Sequence, residues 1–290
     1  MPSIRSRPAV GIALILAAGL IALPACKKKP DGATNPDAPA AGKDALRPGS
    51  SWLHAPDPNA PEPGMPALPQ TPLYSKGAPG VGPIRGQSQN NLKQIIMAMH
   101  SFHDAANGRG FPIGVYDKSG QKLGLSWRVA LLPLLGEESL MREFNLDESW
   151  DSEHNKKLIG RIPKVYVAPS GDATGYTFYR SFSGPDTVMP APKPGTPGKV
   201  ALGLKLLAIT DGVANTMAVV EAAKPVIWTK PDELEYDPKG AVPRVGGGVF
   251  EDGFNAAFYE GSVRFLLTKS VNEKTMRALI TANGGEIPDI

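Results

Sequence analysis

The sequence has only one cysteine, Cys26, in 290 residues. An internal disulfide is therefore impossible, and no second thiol is available for a thiolate metal site. Charge excess is also missing: 31 Lys and Arg stand against 28 Asp and Glu, and loss of Arg5 and Arg7 would lower the formal +3 to +1. That balance gives no footprint for nucleic acid. No phosphate-cradling glycine loop and no nucleophile-elbow motif occurs, so no cofactor is expected. The apolar run from Ala9 to Ile21 is too short to span a bilayer comfortably.

What is present at the N-terminus has the order of an export signal. A basic start (Arg5, Arg7) precedes the apolar run, and Leu23-Pro24-Ala25-Cys26 follows directly. That tetrapeptide resembles the lipobox of bacterial lipoproteins, with Pro24 an unusual choice within it. The resemblance implies cleavage before Cys26 and lipid on its sulfur, which assigns residues 1–25 to a signal peptide and places the protein in the cell envelope, anchored to a membrane. Acyl chains contribute ~0.8 kcal/mol per buried methylene, and Lys27, Lys28 and Lys29 add attraction to anionic head groups. Residues 26–84 are rich in Pro, Ala, Gly and Asp without apolar periodicity, the composition of a tether that cannot form a core. Trp52, Leu53, Leu68, Leu73 and Tyr74 interrupt it as candidate docking segments.

Residues 85–290 read as the globular domain. Leu92, Ile95, Ile96, Met99, Phe102 and Ala106 recur at helical spacing, and Gly108 and Gly110 stop that helix. Short helices are expected over Trp127–Leu135 and Glu137–Phe144, and another over Ser152–Leu158 capped by Asp151. Strands are expected over 176–182, 201–209, 216–221 and 248–250, with a hairpin of Phe254–Tyr259 and Ser262–Leu267 turning at Glu260-Gly261. A closing helix follows, with Ser270 and Glu273 as a capping box, Met276, Leu279 and Ile280 inside, and Gly284 as its stop. Leading helix, antiparallel sheet and closing helix make the fold class α+β.

Several linked motifs carry a family resemblance. Asn90-Asn91-Leu92-Lys93-Gln94, His100-Ser101-Phe102-His103-Asp104, Phe111-Pro112, Ser126-Trp127-Arg128, Trp150-Asp151-Ser152 with His154-Asn155, Thr210-Asp211-Gly212 with Asn215-Thr216, and Gly261-Ser262-Val263-Arg264-Phe265 occur in one order. From Gln87 to Glu286 the chain resembles the planctomycete domain of unknown function 1559. The resemblance implies a pilin-like head; the family also carries a solute-binding label, which establishes no ligand. There are three departures. Phe250 and Glu260-Gly261 stand where the family has a histidine, nine residues and Asp-Gly. Ser88 and Ala168 stand where it usually has cysteines, which the resemblance reads as a crosslink lost at both ends. Lipid and tether replace the prepilin helix, which argues against incorporation into a filament.

Candidate chemistry is sparse. His100 and His103, three apart on one helix, are the candidate metal ligands, against a reading as packed, hydrogen-bonded histidines. Asp147, Glu148, Asp151 and Glu153 concentrate carboxylates but lack EF-hand spacing, and capping explains them more simply. Trp127, Trp150 and Trp228 are the candidate ligand-binding residues if exposed on a groove, against the base rate of tryptophan in cores. The expected function is a membrane-anchored envelope lipoprotein whose non-enzymatic domain binds an envelope polymer, a glycan or an envelope protein. The alternative is an envelope-polymer hydrolase with a dispersed carboxylate or serine site.

Overall fold

A computed structural model of the chain describes residues 68–169, 175–286 and 288. The expected signal peptide, Cys26 and most of the expected tether lie outside these residues. In chain order the elements are α1 (Val81–Ala105), β1 (Pro112–Tyr116), β2 (Leu123–Ser126), α2 (Trp127–Ala130), α3 (Glu138–Glu143), β3 (Tyr176–Arg180), β4 (Phe182–Ser183), β5 (Val200–Leu202), β6 (Met217–Ile227), β7 (Leu234–Glu235), β8 (Gly253–Phe258), β9 (Val263–Leu267) and α4 (Glu273–Ile280). An antiparallel sheet of order β3-β6-β8-β9 forms the centre; β2-β1-β5 form a smaller antiparallel sheet, and β4 and β7 pair in parallel.

Side-chain alternation decides which helix covers which face of the central sheet. Val219 and Ala257 share a core with Leu92, Ile95, Ile96 and Met99 of α1. Val220, Ala222, Phe254, Ala256 and Phe258 share another with Met276, Leu279 and Ile280 of α4. Being covered on both sides, β8 is buried at every position. The fold is α+β, with the leading helix, antiparallel sheet and closing helix that were expected.

Local readings differ in places. The first helix begins at Val81, a turn before the expected change of texture at Gly86, and Gly108 N–H closes its end on the His103 carbonyl at 2.8 Å. Residues 152–158 form no α-helix: a 3-10 stretch runs Asn155–Arg161, and Ser152, not Asp151, accepts the Asn155 N–H at 3.1 Å. The strand expected over 201–209 is only Val200–Leu202. Asn272 caps α4 through Thr275 N–H, displacing the expected Ser270 box, and the helix ends at Ile280, before Gly284.

Strands β1 and β2 were not expected, because Pro112, Gly114 and Gly124 are poor strand formers. Gly114 is required where it stands: its φ is +152°, and a Cβ there would meet the Leu125 carbonyl at 2.7 Å.

The end of the expected tether belongs to the folded unit. Leu73 and Tyr74 N–H donate to the Gly248 and Val249 carbonyls at 3.0 and 2.9 Å, and Glu251 N–H returns a bond to Tyr74. The Tyr74 ring stacks on Phe250 at 5.8 Å, Leu68 packs on the main core, and Lys76 N–H donates to Glu251.

Candidate functional site

The residues singled out from sequence do not assemble into one site. Trp127 and Trp228 are fully buried and Trp150 nearly so. Trp228 stacks on Tyr166 and donates its indole N–H to the Ile159 carbonyl at 2.8 Å. Trp127 packs edge-on against the same Tyr166. These indoles fill the core, the alternative weighed against the ligand-binding reading.

His100 and His103 both lie against Phe111, edge-on and stacked. His103 Nε2 accepts the Leu206 N–H at 3.3 Å, which commits that nitrogen to the protein. Among the described residues no group of three His, Cys, Asp or Glu is placed to hold a metal ion. Both rings therefore pack on Phe111, and the metal reading is not carried by this geometry.

The acidic loop does line a cleft of about 580 Å³, with Asp117, Asp147, Glu148, Glu153, Ser149, Ser152, His154, Lys118 and Lys122 around it. A two-carboxylate glycoside hydrolase needs one carboxyl held protonated to act as acid. Here the two carboxyls with a clear preference are held the other way. Ser119 holds Asp117 below the usual carboxylate range, and Ser152 does the same to Glu148.

Two other features stand out, and neither was legible as a site. The first is a buried polar network between α1 and the sheet. Glu221, 1 % exposed, faces α1 from β6 and accepts from Asn255 N–H at 2.7 Å, Asn255 Nδ2 at 3.2 Å and Ser88 Oγ. Since the one Ser88 proton goes to Glu221, Tyr179 Oη donates to Ser88 at 2.8 Å, and Asn91 Nδ2 donates to Tyr179 at 3.3 Å. The hydroxyls thus point in file toward the carboxylate. Burial pushes Glu221 up to about 7, against the Asn255 and Ser88 donors and the Arg85 charge. Arg85 itself lies over the Phe265 ring at 3.6 Å.

The second is a groove of about 600 Å³ between α4 and the chain that runs beside β6. Its walls include Val242, Val245, Phe254, Val271 and Met276, with Lys224, Arg244 and Glu273 among the polar lining residues. Glu273 is paired with Arg277 at 2.7 Å. Lys224 and Arg244 have exposed side chains. Gly246 shapes the groove: its φ is +72°, and a Cβ there would meet Thr268 Oγ1 at 2.8 Å. The sequence signal for the groove is the Gly246-Gly247-Gly248 run, which marks close backbone approach without saying to what.

No curated protein and no solved structure matches the chain. A family model does match, over residues 85–248, described as a protein of unknown function (DUF1559). The matched region holds Arg85, Ser88, Asn91, Tyr179 and Glu221 of the network, but stops before Asn255 and α4, and before the Glu286 to which the motif resemblance was read. Covering more than half of the sequence, that match establishes that the chain belongs to the DUF1559 family.

Proposed function

We propose that the protein is a cell-envelope lipoprotein, anchored to a membrane through lipid on Cys26, whose domain works by binding and not by catalysis. The groove beside α4 carries the binding half of this reading. It is an apolar trough with exposed cations at its edge, which suits an extended chain bearing apolar side chains and carboxylates, and so favours an envelope protein over a glycan. Asp117 and Glu148 are held ionised, which speaks against either as the general acid of a two-carboxylate hydrolase. The leader anatomy and Cys26 carry the anchoring half.

Cells expressing the Cys26→Ser chain should lose palmitate labelling and shed the protein from the membrane fraction. Normal labelling and fractionation of that variant would overturn the lipoprotein. Turnover of an envelope polymer by the purified protein, abolished by Asp117→Asn or Glu148→Gln, would overturn the binding reading in favour of the hydrolase.

A further inference from the structure

The central sheet ends in β3 on one side and β9 on the other, and the two edges are finished differently. On β3 the Tyr179 carbonyl takes Nε and Nη2 of Arg128, and its N–H goes to Thr177 Oγ1, so the protein's own groups close that edge. On β9 the bonds from Phe258 N–H to the Ser262 carbonyl and from Thr268 N–H to the Asp252 carbonyl set the phase of the ladder with β8. Even-numbered residues of β9 therefore bond to β8, and the N–H and C=O groups of Val263, Phe265 and Leu267 point away from it. Among the described residues none of these outward groups has a hydrogen-bond partner. The β8–β9 ladder is also unbroken, whereas β1–β2, β1–β5, β3–β6 and β6–β8 each carry a register shift. A regular strand with a free row of backbone groups and no proline is a template for one more strand.

Charge decides what kind of strand fits. Arg85 of α1 lies over the Phe265 ring at 3.6 Å, and among the described residues it pairs with no carboxylate; its Nε is buried without a hydrogen-bond partner. Lys93, exposed on the same helix, reaches the Gly261 carbonyl at 2.6 Å, at the turn that leads into β9. The opposite face differs: Arg264 is already paired with Glu260 at 2.8 Å, and Leu266 packs with the cluster that holds α4. A strand added along β9 sets one side chain beside Phe265 on the α1 face and the next beside Leu266 on the other. The first position suits Asp or Glu, which Arg85 can pair, and the second suits an apolar residue. A second copy of β9 is the poorer occupant, because antiparallel pairing about Phe265 sets Arg85 against Arg85.

We infer that the free edge of β9 takes an extended segment of a partner protein as an added strand, with a carboxylate side chain opposite Phe265 and an apolar one opposite Leu266. Main-chain bonds to Val263, Phe265 and Leu267 hold the segment, and Arg85 selects the acid. This adds a site to the binding reading of the domain and rests on neither the groove beside α4 nor lipid at Cys26.

The test uses the chain from position 26 onward carrying Cys26→Ser, so that membrane attachment plays no part. In the protein alone, amide hydrogen exchange at Val263, Phe265 and Leu267 should be about tenfold or more faster than at Arg264 and Leu266. Random linear peptides selected on the protein by display should carry Asp or Glu within an apolar run, and should slow those three outward amides about tenfold or more. Leu267→Pro discriminates, because Leu267 has a φ of −76°, which proline adopts, and its N–H has no partner to lose. The variant should keep the melting temperature and weaken peptide binding about tenfold or more. Arg85→Gln should weaken the acidic peptides about tenfold and leave their Asn or Gln forms unchanged. Slow exchange along all of β9 in the protein alone would sink the inference, the edge then being already taken. A concentration-dependent dimer in sedimentation that Leu267→Pro dissolves would overturn it in favour of a second copy. Selected peptides that protect Phe254 and Met276 in the groove, and bind Leu267→Pro as well as the parent, would overturn it and leave the binding reading standing. No enrichment of any peptide would sink both.

Discussion

Two buried glutamates, Glu221 and Glu233, are held in opposite ways. Glu233 meets Arg128, itself fully buried, through both carboxylate oxygens, at 2.9 and 3.2 Å. Ser181 N–H adds a bond at 2.7 Å. Arg128 also donates from Nε and Nη2 to the Tyr179 carbonyl and from Nη1 to Ser126. Burial raises Glu233, and the guanidiniums of Arg128 and Arg180 pull against that rise. Glu221 has neutral donors only, with Arg85 acting at longer range. One site is a fixed ion pair; the other holds a carboxyl poised to change its charge. Burial of a carboxylate therefore does not by itself fix its chemistry: the partner decides whether the group is a strut or a titratable group.

The largest expected effect comes from removing a cation. Arg128→Leu strands Glu233 without its bidentate partner and should cost about 3–5 kcal/mol in urea unfolding. Arg85→Leu takes away only a distant charge and a ring contact from the Glu221 side, and should cost about 1 kcal/mol while raising Glu221 further. Equal losses from the two substitutions would break the distinction between the sites.

The pH response should separate them next. Because folding raises Glu221 from its ordinary value of 4.5 to about 7, the folded protein binds this proton more tightly than the unfolded chain. Its contribution is complete below about 4.5 and is lost as pH rises through about 7, so acidification from pH 8 to pH 5 should stabilise the domain, by on the order of 3 kcal/mol. Asp117, Glu148 and Glu260 are held low and act in the opposite sense, but only as pH falls below the ordinary carboxylate range. Glu221→Gln should flatten the curve between pH 5 and 8. The neutral side chain can be accommodated, because Asn255 Oδ1 is buried without a hydrogen-bond partner and can accept from it after the Asn255 amide turns over. An unchanged slope in the variant would refute the titration of Glu221.

A smaller net effect is expected where the family resemblance and the network meet. Asn91 Nδ2 donates to the Val167 carbonyl at 3.2 Å, so α1 runs beside the segment that contains Ala168. With Ser88→Cys and Ala168→Cys together, oxidation should close a loop of roughly 80 residues, worth up to ~4 kcal/mol by chain entropy. Ser88→Cys also removes the Glu221 donor, so the net gain should be near 2 kcal/mol. A gel-shift or thiol titration showing no bridge on oxidation would mean that the two positions do not face each other.

These sites mark how far the sequence could be read. The inner face of α1, the β8–β9 hairpin and α4 were legible because their periodicity is local. Ser88 drew notice only as the place of an absent cysteine, and its role as a donor was invisible because Glu221 is 133 residues away. Arg128 lay in a recognised motif, yet its partner is 105 residues on. One signal was available for the Glu221 network: Glu221 interrupts the apolar run from Met217 to Ala223, where a lone charge in a strand buried on both faces must find partners. Which partners it finds depends on the crossing of α1 over the sheet, and no local pattern encodes that.

Tyr179 joins the two sites, and the smallest change sharpens the comparison most. Its carbonyl receives two bonds from Arg128, at 3.0 and 2.8 Å, while its hydroxyl stands between Asn91 and Ser88 in the Glu221 file. Tyr179→Phe deletes the hydroxyl and leaves the carbonyl in place. The ion pair should therefore be untouched, and the loss should be about 1 kcal/mol, that of one buried hydrogen bond with its neighbours left partly unsatisfied. Ser88 still donates to Glu221 in this variant, so the rise in stability from pH 8 to pH 5 should persist, with its midpoint displaced only slightly. A loss near that of Arg128→Leu would show that the hydroxyl file and the ion pair act as one unit. Disappearance of the pH response would show that the Tyr179 hydroxyl, and not Ser88, sets the acidity of Glu221.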